Sequence, residues 1–244
     1  MSQHLEILRR ARLEGEVFSR AWGTAAAAAP ALALSRPPST RDQWRQLAHE
    51  LFLRRREARP CAIGLTSPTA GEGTSHVAQH LAAELAQGGQ WATLLVEANV
   101  YRPTQAVRHG VEPDPGLRRL LTGNSLPLEG GLRQTGVEHL WLLPAGTAES
   151  AAAPDWTRLY SLLGTARERF RAIVIDLPPV NLSTDALIVG GWLDGLVLVI
   201  QADLCSREVI QNAISRLRRA NPNLLGSVLN RRKFPVPEAI YRRL

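Results

Sequence analysis

From residue 61 onward the chain alternates short, continuous apolar runs with segments of helical period, and few folds accept that pattern. The runs are CAIGLTS (61–67), WATLLVEA (91–98), HLWLLPAG (139–146), AIVID (172–176), GLVLVIQ (195–201) and LLGSVLN (224–230). They do not alternate apolar with polar, so each reads as a strand buried on both faces. Between them, residues 75–87, 116–123, 156–170 and 206–220 read as helices. The last, for example, places Val209, Ile210, Ala213, Ile214 and Leu217 on one side. Strands alternating with helices predict an α/β fold: a mostly parallel sheet with helices on both faces. Right-handed crossovers then gather the strand C-termini on one edge, where ligands bind.

The region ahead of residue 61 has a different organisation. Residues 1–22 read as an amphipathic helix, with Leu5, Leu8, Val17 and Phe18 on one side and Arg9, Arg10, Arg12 and Arg20 interleaved. It is either a plain surface helix or one that docks on a partner or an anionic membrane. Residues 23–40 form an Ala/Pro-rich linker. A helix over 41–56 follows, with Trp44, Leu47, Leu51 and Phe52 as its apolar face. The main domain therefore spans 41–232, and 233–244 is a tail.

Apolar residues at 45% exclude a wholly disordered chain. Cys61 and Cys205 stand far apart, which is no disulfide framework and fits a reducing cytosol. His76 and His80 share a helix face, read as solvated. No apolar stretch reaches the ~20 residues of a spanning helix, so a cytoplasmic protein is expected, with any membrane role by docking. The net charge is +7, from 29 Lys plus Arg against 22 Asp plus Glu, and the only lysine is Lys233. Chemistry that needs a lysine amine upstream of 233 is therefore excluded. Arg54 to Arg56 and Arg231 to Lys233 are basic runs, usually solvated, that also suit nonspecific DNA binding. No nucleic-acid recognition motif accompanies them.

The turn after the first long strand reads SPTAGEGTSHVAQHLA, from Ser67. Strand, Gly-rich turn and helix N-terminus make a phosphate-binding context. Glycines let successive N–H groups point inward, and the helix dipole favours an anion. A lysine then pairs the phosphates and a Ser/Thr hydroxyl binds Mg²⁺. Gly71, Glu72 and Gly73 form the turn, Ser75 holds the hydroxyl position, and Thr74 stands where the lysine belongs.

In this order of motifs the chain resembles the bacterial tyrosine autokinases (BY-kinases) of capsule and exopolysaccharide systems, in the MinD/ParA-like branch of P-loop ATPases. TAGEGTS resembles that family's PGEGKS. TLLVEANVYRP resembles its DADxRRP strand end, placing Glu97, Asn99, Tyr101 and Arg102. Gly116 to Gly123, Leu143 to Gly146, Ile173 to Pro179 and Leu225 to Asn230 resemble its GLxxxLxG, LPAG, IIDxPP and LGxVLN landmarks. The helix at Asp42 to Ala48 resembles its ExxRxxR oligomerisation helix, keeping only Arg45, so a homo-oligomer is one expectation. The resemblance implies Ser75 and Asp176 on Mg²⁺, Asn230 at the adenine, and Arg102 as a substitute cation beside Gly71, Glu72, Gly73, Thr74 and Ser75.

The departures fall on the chemistry. Thr74 brings no cation, Glu97 is a longer carboxylate than the family's Asp, and Asn99 is neutral. The C-terminal tyrosine cluster is reduced to Tyr241. A charge partner in a desolvated site is worth ~2–4 kcal/mol to the transition state, so efficient phosphoryl transfer is not expected. Thr74, Glu97, Asn99 and Asp176 read as vestigial, and ATP or ADP with Mg²⁺ is expected to bind weakly or not at all. The resemblance implies a catalytically degenerate regulator of exopolysaccharide polymerisation or export, peripheral at the inner membrane. It would act with a membrane co-polymerase or synthase component. Two alternatives stand beside it: an atypical active ATPase or tyrosine autokinase, and a MinD/ParA-like positioning or DNA-binding ATPase.

Overall fold

The computed structural model describes residues 5–7, 40–53, 60–122, 126–147, 154–220 and 222–231. All six apolar runs form strands: β2 (Cys61–Thr66), β3 (Thr93–Glu97), β5 (Leu140–Leu143), β6 (Ala172–Asp176), β7 (Gly195–Gln201) and β8 (Leu224–Asn230). Two short strands join them, β1 (Leu5–Ile7) and β4 (Arg133–Gln134). The sheet order is β1-β8-β7-β2-β6-β3-β5-β4. The pairs from β8 across to β5 are parallel, and the two outermost pairs are antiparallel.

The strands are apolar on both faces because both faces are covered. On β6, Ala172 and Val174 join one core while Ile173 and Ile175 join the other. The first core holds α1 (Thr40–Ala48) and α2 (Thr74–Gly89) against the sheet through Trp44, Leu47, Val77, Leu81 and Leu85. The second holds α6 (Thr157–Arg169) and α8 (Arg207–Ala220) through Leu159, Leu163, Ile214 and Leu217. The shorter helices are α3 (Gln105–His109), α4 (Leu117–Leu121), α5 (Leu128–Gly131) and α7 (Asp185–Gly190). Among the described residues no helix is long and apolar enough to cross a membrane.

The structure departs from the sequence reading near the start. Leu5–Ile7 is a strand antiparallel to β8, where a helix over 1–22 was expected. The reason is the bare outer edge of β8, whose unpaired N–H and C=O groups capture an extended segment. The rest of 1–22, the linker up to residue 39 and the 233–244 tail lie outside the described residues. The helix expected over 41–56 is α-helical only to Ala48 and continues as a π-helical turn, His49–Leu53, while 54–56 lie outside the described residues. Its apolar face is spent internally, since Trp44, Leu47, Leu51 and Phe52 are all buried.

Two sequence landmarks meet at the carboxyl edge. Leu117 and Arg118 donate main-chain N–H bonds to the carbonyls of Pro144 and Ala145, at 2.7 and 2.9 Å. A Cβ on Gly116 would stand 2.3 Å from the Gly146 nitrogen, so the close approach requires glycine.

Candidate functional site

The phosphate loop runs from the end of β2 to the first turn of α2. Gly71 and Gly73 have φ of 91° and 86°, the left-handed backbone that suits a converging set of N–H groups. Gly73 caps α2 and its carbonyl accepts from Val77 N–H at 3.0 Å. Glu72 lies between them with its side chain turned inward, 0% exposed. Its carboxylate accepts from the Thr69 hydroxyl (2.9 Å), the Cys205 thiol (2.6 Å) and the Gln201 main-chain N–H (2.5 Å). Burial and this carboxylate push the Cys205 thiol up. Asn230 Nδ2 donates to the Glu72 carbonyl at 2.8 Å, where a Cβ on Gly73 would stand 2.2 Å from that nitrogen. The loop is thus held from below by the main chain of β7, the Asn230 side chain of β8 and the Cys205 side chain after β7. In this arrangement Glu72 and Asn230 shape the loop, and Asn230 is buried beneath it.

Across the loop stands Asp176, at the end of β6. It is 1% exposed, and burial pushes its carboxyl up to about 6, against the pull of Gln105 and the Ser75 hydroxyl. Gln105 was not singled out in the sequence. It is fully buried as the first residue of α3, and its Nε2 donates to Asp176 Oδ2 (3.0 Å) and to the Ser75 carbonyl (2.9 Å). Both partners are acceptors, so the amide has only one sensible orientation. The signal for it was its place just after the Arg102-Pro103 turn that ends the second motif.

Glu97 ends β3 and is also buried. Oε1 accepts from the main-chain N–H groups of Thr104 and Gln105, the latter at 2.6 Å, and Oε2 accepts from Ala145 N–H at 3.0 Å. Its carboxylate therefore joins the start of α3 to the turn after β5. Asn99 is half-buried, and Arg102 is exposed at the same turn with its N–H on the Asn99 carbonyl. Thr74 is buried at the lysine position. The site residues named from sequence are thus placed along one edge, on the loops after β2, β3, β6 and β8, with Arg102 at its rim.

His76 and His80 do not form an open face. Their Nε2 atoms are 3.1 Å apart, and the Trp44 ring stacks on His80 at 4.9 Å between centroids. Burial, then His80, Arg108 and Arg231, hold His76 down to about 4.

These residues fit the metal side of a nucleotide site and not its lysine side. Asp176 Oδ1 and Gln105 Oε1 are buried acceptors without a donor among the described residues, and the Ser75 hydroxyl neighbours Asp176. Next to Ser75, the buried Thr74 offers no charge.

No protein-family model matches the chain. The chain is 28% identical to the putative tyrosine-protein kinase CapB of Staphylococcus aureus, over 82% of this chain and 88% of that protein. It is 31% identical to the putative tyrosine-protein kinase EpsB of Ralstonia nicotianae over 69% of this chain, but spans only 22% of that longer protein. Among solved structures, the BceF tyrosine kinase domain superposes with a TM-score of 0.65 at 30% identity, covering 78% of this chain and 74% of that one. The cell division ATPase MinD of Pyrococcus furiosus, at 23% identity and a TM-score of 0.56, shares the fold. On this sequence likeness, and with the phosphate loop and its facing aspartate on the carboxyl edge of the sheet, the chain belongs to the bacterial tyrosine-kinase family.

Proposed function

We propose that the chain is a catalytically degenerate member of this family, one that holds nucleotide weakly and does not transfer its phosphoryl group. The observation that carries this reading is the occupant of the lysine position, a buried Thr74. No lysine lies near it in sequence, since the only one is Lys233. Glu97 supports it, because a carboxylate already holding three main-chain N–H groups is a poor proton acceptor. The loop glycines and helix N-terminus need no side chain to attract phosphate, so binding outlasts catalysis.

In this reading the protein regulates exopolysaccharide polymerisation or export through an inner-membrane co-polymerase, as the family resemblance implies. With the apolar side of α1 buried, its exposed residues Arg41, Asp42, Arg45 and Gln46 are what it offers a partner. Incubation with labelled ATP and Mg²⁺ should give no phosphotyrosine. Phosphorylation that Tyr241→Phe abolishes would overturn the reading in favour of an atypical active kinase, which the names of the relatives support. Thr74→Lys should tighten ATP binding ~10-fold or more, as a restored charge partner does. Unchanged affinity would mean that Thr74 does not face the phosphates.

A further inference from the structure

Gln105 is a neutral, fully buried side chain inside the candidate site, and its bonding is lopsided. Both amide protons are used, one on the Asp176 carboxylate and one on the Ser75 carbonyl. The two groups joined by the first bond each keep a bare oxygen: Gln105 Oε1 and Asp176 Oδ1 are buried without a donor among the described residues. A buried acceptor without a donor costs ~1–3 kcal/mol, and two on adjoining groups point to a donor that arrives with a ligand. The Ser75 hydroxyl lies beside the same carboxylate. Mg²⁺ keeps several waters, and those waters donate to oxygens of this kind. Apolar residues at position 105 would fill the space and leave Asp176 held by the Ser75 hydroxyl alone.

We propose that Gln105 is a positioning residue for the metal side of this site. Its amide pins Asp176 to the first turn of α2, and the bare oxygens of Gln105 and Asp176 receive the water shell of a divalent cation carried by a nucleotide di- or triphosphate. The inference rests on the nucleotide-binding part of the proposed function. It has a consequence that reading does not: without a lysine, the cation supplies most of the charge that holds the phosphates, so affinity depends steeply on metal.

The test uses a fluorescent ADP analogue with Mg²⁺ or with EDTA, and Mn²⁺ paramagnetic resonance with and without ADP. The full chain is compared with Gln105→Met, whose folding is checked by circular dichroism. The wild type should bind the Mg²⁺ complex at least ~10-fold more tightly than the metal-free analogue. Gln105→Met should lose that advantage while its metal-free affinity stays within ~2-fold, a split that general loosening of the fold would not give. Equal affinity in Mg²⁺ and EDTA for the wild type, or an undiminished advantage in Gln105→Met, overturns the inference and leaves nucleotide binding standing. If the analogue binds under neither condition, the nucleotide reading fails. The role of Gln105 then survives only if Mn²⁺ alone binds the wild type and not the variant, and falls if Mn²⁺ binds neither.

Discussion

At the scale of single residues, the same side-chain type serves three different purposes within one edge of the sheet. Glu72, Glu97 and Asp176 are all buried carboxylates, each 1% exposed or less. Glu72 tethers the phosphate loop, Glu97 joins two main-chain segments, and Asp176 alone keeps an oxygen free. The family resemblance placed Glu97 and Asp176 in one site, yet it could not distinguish a carboxylate consumed by main-chain N–H groups from one left open. That distinction depends on where Thr104, Gln105 and Ala145 present their nitrogens, which is settled by tertiary packing. Glu97→Gln tests it. The amide must aim its NH₂ at one set of N–H donors, so unfolding should become easier by ~1–3 kcal/mol, read from denaturant or thermal melts. A variant as stable as the wild type would mean that these bonds contribute nothing net. Gln105 escaped the sequence reading for a related reason: a glutamine has no periodicity and no charge, and its importance appears only when both of its partners are seen to be acceptors.

At the scale of elements, legibility followed length. The six long strands were readable because continuous apolar runs of this kind have one good use, burial between two helical layers. β1 and β4 are three and two residues long, too short to carry a pattern. The short helices α3, α5 and α7 likewise span less than two turns. The α1–α2 contact was half legible. The apolar face of α1 was correct, but the histidines facing it read as solvated, because two polar residues at i, i+4 look the same whether water or Trp44 covers them. Their burial predicts a pH effect. His76 is lowered from 6.5 to about 4, and His80 and His109 are lowered as well, each mainly by burial. As pH falls below 6.5, the unfolded chain takes up protons that the native histidines refuse, so stability falls from there down to about pH 4. Arg108 and Arg231 deepen the effect by repelling the added charge. One whole proton of difference would give ~1.4 kcal/mol per pH unit, and water reaching these half-buried rings trims it. Melting temperatures between pH 7 and 4.5 should show the decline, and His76→Leu should flatten it. An equal slope in that variant would place the titrating group elsewhere.

At the scale of the whole molecule, the N-terminal strand is joined to the phosphate loop through the sheet. β1 pairs Leu5 with Asn230, Glu6 with Leu229 and Ile7 with Val228. Asn230 in turn holds the Glu72 carbonyl, and its own carbonyl accepts from Ala202 N–H at 2.9 Å. The strand that closes the sheet edge therefore borders the residue that supports the loop. Removing residues 1–10 should act in two places. The outer edge of β8 loses its partner, and a bare edge strand recruits another copy, so light scattering should show self-association that grows with concentration. Three lost residue pairs should also lower stability by ~1–3 kcal/mol. At the other end Asn230 is held on one side fewer, and nucleotide affinity should weaken by a few-fold, although the strand residues Leu5–Ile7 pair with β8 rather than with the loop. The two effects separate by dilution. Self-association fades as the protein is diluted, whereas a loosened Asn230 does not. If affinity returns fully on dilution, β1 protects the edge and nothing more. If it stays low in the monomer, the N-terminal strand is part of what shapes the phosphate loop.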